Sequence, residues 1–86
     1  MNLNEKALLK RNLVFFSEAK HRAMLNQPKN VKISKQVISQ INDLIDTGEI
    51  STMLNVETVY DYCFEKMQQN PDSIETYAKE ITSFLA

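Results

Sequence analysis

Four stretches of the chain space their apolar residues three or four apart, the signature of a single buried helix face. The first covers residues 4–26, with Leu8, Leu9, Phe15, Phe16, Ala19 and Ala23 on one stripe. Lys6, Lys10, Arg11, Lys20, His21 and Arg22 fall mostly opposite, and Asn12 lies inside the stripe, where burial would demand a hydrogen-bond partner. Pro28 is expected to end this helix, because the residue before a proline is pushed out of the α region. The rhythm then breaks. "NVKIS", residues 30–34, alternates polar and apolar side chains as a short strand does.

A second helix is expected after Ser34, whose hydroxyl suits an N-cap, with Val37, Ile38, Ile41, Leu44 and Ile45 facing inward. Gly48, the only glycine, marks its end. In the short connection that follows, Ile50, Met53 and Leu54 call for burial. A third helix is predicted from Asn55, a good N-cap, to Gln69, burying Val56, Val59, Tyr60, Cys63 and Met67. Pro71, with the capping pair Asp72 and Glu75, starts a fourth on the stripe Ile74, Tyr77, Ala78, Ile81 and Leu85.

Two architectures accommodate these elements. One is mainly α, with four helices and a strand at 30–34 that pairs antiparallel with its copy across a dimer. A lone buried strand would otherwise leave its amides and carbonyls unpaired. The other is an all-α four-helix bundle monomer, in which Val31 and Ile33 are loop contacts. Either way residues 1–86 form a single domain: a basic amphipathic helix at 4–26, a core at 30–69 and a C-terminal helix at 72–86.

Charge adds an asymmetry that the net value of −1 conceals. Residues 1–35 hold eight basic residues against Glu5 and Glu18, a net of +6, whereas residues 36–86 hold two against nine acidic residues, a net of −7. A basic half attracts polyanions, although the two halves could equally attract each other within the fold. Cys63 is the only cysteine, so no internal disulfide forms. No stretch approaches the roughly 18 apolar residues of a membrane span. A cytoplasmic location is the expectation.

Candidate chemistry is sparse. His21 is the only histidine, on the polar side of the first helix, and reads as a surface residue without metal-ligand neighbours. Cys63 falls on an apolar face, where a thiol packs and its pKa rises. One glycine cannot build a phosphate-binding loop. No catalytic residue, metal site or cofactor is expected, and the chain does not read as an enzyme. Glu57, Asp61 and Glu65, spaced four apart beside Tyr62, form an acidic ridge that a protein partner could use. Membrane binding through Phe15 and Phe16 is set aside, since the same stripe is what a core helix needs.

A two-stranded ribbon fits the DNA major groove, and lysine and asparagine suit base edges. Residues 30–67, "NVKISKQVISQINDLIDTGEISTMLNVETVYDYCFEKM", resemble a ribbon-helix-helix domain, the fold of many small phage, plasmid and antitoxin repressors. That family has an alternating strand followed by apolar positions four, five, eight, eleven and twelve residues past its last inward residue. Counted from Ile33, these are Val37, Ile38, Ile41, Leu44 and Ile45. The resemblance implies a homodimeric regulator of transcription bound to double-stranded DNA. Asn30, Lys32 and Ser34 would read bases, Lys35 and the basic half would hold phosphates, and the helix start near Asn55 would hold another. The alternative is a monomeric interaction module, such as an immunity, anti-holin-like or inhibitor protein, meeting one protein partner through Glu57, Asp61, Tyr62 and Glu65.

Overall fold

In the computed structural model, which describes residues 2–85, Pro28 opens a helix instead of closing one. The helices are α1 (Leu3–His21), α2 (Pro28–Thr47), α3 (Met53–Gln69) and α4 (Ile74–Leu85). Residues 30–34 lie within the first two turns of α2, and there is no strand among the described residues. The expected ribbon, its pairing across a dimer and the ribbon-helix-helix-like architecture are therefore overturned. The four-helix bundle fits.

The physical reason is local. Proline at the first helical position gives up an amide that would have no partner there, and its ring presets a helical φ. Gln27, the residue before it, is extended, and its carbonyl accepts from the amides of Asn30 and Val31 at 3.0 and 3.1 Å. Asn30, Ile33, Ser34, Val37 and Ile41 then share one buried face at helical spacing. The alternation of Val31 and Ile33 was the first turns of that helix, with polar residues on its inner side.

Other boundaries follow their caps. The Asn2 side-chain oxygen accepts from the Glu5 backbone amide at 2.9 Å as an N-cap, and the Asn2 side-chain nitrogen donates to the Glu5 carboxylate at 3.1 Å. α1 stops at His21, earlier than the expected residue 26, and the carbonyl of His21 accepts from the amides of Met24 and Leu25 in the turn beyond. Gly48 ends α2 at φ 82°, where its amide bonds the Ile45 carbonyl, and a side chain there would strain the backbone. Thr52, not Asn55, caps α3, and Ser34 is interior to α2 and no cap at all.

Side-chain contacts fix the directions. Lys6 and Lys10 near the start of α1 reach Asp46 near the end of α2, so these two helices run antiparallel. Ser34 meets Tyr60 and Asn30 meets Gln68, so α2 and α3 are antiparallel as well. α1 therefore runs parallel to α3, with Asn12 near Met53 and Lys20 near Glu57. α2 and α3 pack on each other and on both remaining helices, whereas α1 and α4 make no contact with one another. The bundle is thus a rhombus in which α1 is a corner with one covered side.

Only Leu9, Leu13, Ser17 and His21 of α1 are buried, a row spaced four apart. The remaining apolar residues of α1 exceed what that covered side can hold. None of the helices is long and apolar enough to cross a membrane, among the described residues.

Candidate functional site

The residues expected to read DNA are divided by α2. Asn30 is buried: its side-chain amide donates to the Met24 carbonyl at 2.9 Å, and its oxygen accepts from Gln68 at 3.3 Å. Ser34 is buried too, sharing a 2.9 Å hydrogen bond with the Tyr60 hydroxyl. Lys32 and Lys35 remain exposed on the opposite side, beside a shallow cleft that includes Pro28, Val31 and Ser39. Asn55 is half-buried, and its backbone amide already donates to the Thr52 hydroxyl at 3.2 Å.

The acidic ridge is likewise split. Lys20 of α1 lies 2.9 Å from Glu57 and 3.4 Å from Asp61, and these carboxylates raise its pKa, the Glu57 hydrogen bond first. The ammonium offsets the repulsion that carboxylates four residues apart would suffer. Glu65 alone of the three is exposed. Tyr62 is half-buried, edge-on to Tyr77 at 6.0 Å, with the Lys66 ammonium 5.6 Å from its ring centre. The two charge halves therefore do attract each other, through Lys10–Asp46 and Lys20–Glu57/Asp61. Arg11, Arg22, Lys29, Lys32 and Lys35 take no part in an ion pair among the described residues.

His21 is not on the surface. It stacks on Phe64 with ring centres 4.0 Å apart, and its Nε2 lies 3.3 Å from an Asp61 carboxylate oxygen. Ser17, one turn earlier, donates back to the Val14 carbonyl at 2.7 Å, which leaves its oxygen free to accept from the Tyr60 side. The clefts beside Pro28 and Ser39, beside Glu18 and Asn26, and beside Lys29 and Asp72 are not lined by His21, Asp61 or Cys63. No group of three or more His, Cys, Asp or Glu side chains is arranged to hold a metal ion, among the described residues.

Cys63 is fully buried, and burial pushes its thiol up to about 12 from 9.0. Burial also raises Tyr60, against the opposing hydrogen bonds of Ser34 and Ser17. Raised acids stabilise fully below their unfolded pKa and lose that contribution as pH climbs toward the folded one. For Cys63 the window runs from 9.0 to about 12, at roughly 1.4 kcal/mol per pH unit. Urea midpoints measured between pH 8 and 11 are expected to fall less steeply for Cys63→Ala than for the parent chain; parallel slopes would contradict the burial of the thiol.

What the sequence pattern did not single out is the outer face of α1. Leu8 and Phe15, expected in the core, are 47% and 65% exposed. Arg11, Glu18 and Arg22 share that side with them, all exposed. At its edge, Asn12 touches the sulfur of Met53 at 3.5 Å, joining this face to the first turn of α3, where Leu54 is 70% exposed. Leu54 and Met53 are thus a second departure from the expected burial. The available signal was the row Leu9, Leu13, Ser17, His21: once it is recognised as the inner face, Leu8 and Phe15 have to point elsewhere.

No protein-family model matches the chain, and no curated protein or solved structure matches it significantly.

Proposed function

We propose that this chain is a helical protein-interaction module whose docking surface is the outer face of α1 with the adjoining start of α3. The observation that carries the reading is Phe15, at the middle of α1 and 65% exposed, with Leu8 one heptad before it. A phenylalanine left in water forgoes about 1.5–3 kcal/mol of burial. Docked against a protein, the same ring supplies that energy to binding. Arg11 and Arg22 flank it, and aromatic residues with arginine are the types that concentrate at the energetic centres of protein interfaces.

This reading moves the contact away from Glu57, Asp61, Tyr62 and Glu65. Lys20 already occupies two of those carboxylates, and Tyr77 leans on the tyrosine. A DNA-binding regulator would still have Lys32 and Lys35, but Asn30 and Ser34 are committed to hydrogen bonds inside the bundle. Protein docking on α1 requires no rearrangement of the fold.

The test is a photoreactive phenylalanine analogue placed at position 15 in cells, with position 39 on the outside of α2 as the control. Position 15 is expected to yield one discrete adduct, lost when Leu8→Glu is added, and position 39 none. No adduct from position 15, or the same pattern from both positions, would overturn the reading.

A further inference from the structure

We propose that the outer face of α1 docks on the same face of a second copy of this chain, the two helices antiparallel about a two-fold axis beside Phe15. The proposal rests on the docking reading above and names its partner. Its basis is that the face is complementary to itself. Arg11 and Glu18 lie seven residues apart, on either side of Phe15. Neither is ion-paired within the chain, among the described residues. An axis between residues 14 and 15 brings Arg11 of one copy opposite Glu18 of the other, and symmetry makes that contact twice.

The same operation decides where Leu8 goes. It arrives level with residues 21 and 22 of the second copy, beside a cleft lined by Glu18, Arg22, Leu25 and Asn26. Glu18 stands in the last turn of α1, and Arg22 and Leu25 in the turn just beyond it, so the cleft lies at the very end of the helix. Leu8 is the exposed apolar side chain placed to fill it. A partner helix rich in acidic residues would satisfy Arg11 and Arg22 but set like charges against Glu18, which is costly. The sequence of α1 itself satisfies both signs.

The contact is small. α1 has 19 residues and is about 28 Å long. The dimer therefore belongs to the weak class that buries less than about 1,200 Å².

Sedimentation velocity on the full chain, from about 10 μM to 1 mM to span that weak class, tests the proposal. The mass is expected to rise from 9.9 kDa toward twice that value. Arg11→Glu alone creates two like-charge contacts per dimer, as does Glu18→Arg alone, and each is expected to weaken association about tenfold. An equimolar mixture of the two variants pairs opposite charges at both contacts and is expected to recover the parent affinity. Recovery by mixing also shows that both variants are folded. A monomer across the whole range, or association that neither single variant weakens, overturns the self-pairing. If the chain stays monomeric while position 15 cross-links in cells to one protein of another mass, self-pairing falls and the docking face stands. Without any adduct both fall.

Discussion

Phe64→Ala is expected to cost about 3–5 kcal/mol, the range for removing a buried aromatic ring. Phe64 has no exposed surface, stacks on His21 at 4.0 Å and leans on Tyr60 at 5.8 Å, so its ring joins α1 to α3. Its loss leaves a cavity and removes the ring stacked on His21, leaving only Tyr60, at 5.3 Å, as its aromatic neighbour. For a domain of this size each kcal/mol moves the melting temperature by about 4–8 °C, so a fall of about 12–40 °C is expected. Phe15→Ala is the matched control: the same substitution on the outer side of α1 should cost no more than about 0.5 kcal/mol. Thermal melts followed by circular dichroism compare the two. Equal losses would mean that the inner face of α1 has been assigned to the wrong residues.

That comparison bears on what the sequence made legible. The inner face of α2 from Val37 onward was readable, and that of α3 apart from Phe64, because Val37, Ile41, Leu44 and Ile45, and Val56, Val59, Cys63 and Met67, are apolar at helical spacing. The inner face of α1 was not. Half of its buried row is Ser17 and His21, and a reading that equates buried with apolar rotates the helix toward Leu8 and Phe15. Burial of polar side chains there depends on partners across the bundle, such as Asp61, forty positions away.

The same cause produced the false strand. Asn30 and Ser34 face the core because Met24, Gln68 and Tyr60 satisfy their hydrogen bonds. With those two residues taken as outward, Val31 and Ile33 alternate; with them inward, the period is helical. The docking face was illegible for the converse reason, since an exposed phenylalanine looks like a buried one until the corner position of α1 is known. Sequence pattern identifies which residues are apolar, and packing geometry decides how many of them a corner helix can cover.

Lys32→Pro is expected to cost about 3 kcal/mol or more and to lower the helical circular dichroism signal. In α2 the amide of residue 32 bonds the carbonyl of residue 28, and proline both removes that bond and presses its ring against the carbonyl. Pro28 itself escapes this penalty because it stands at the first position of the helix, where no such bond is made. Lys32→Ala separates backbone from side chain. The lysine is exposed and outside every ion pair among the described residues, so alanine should change stability by no more than about 0.5 kcal/mol. Urea unfolding of both variants measures the contrast. A proline tolerated as well as alanine would take residues 30–34 out of the helix, and with them the inward placement of Asn30 and Ser34. A large loss confined to proline fixes α2 from its first turn, and leaves Lys32 and Lys35 as side chains that the fold holds in water without using.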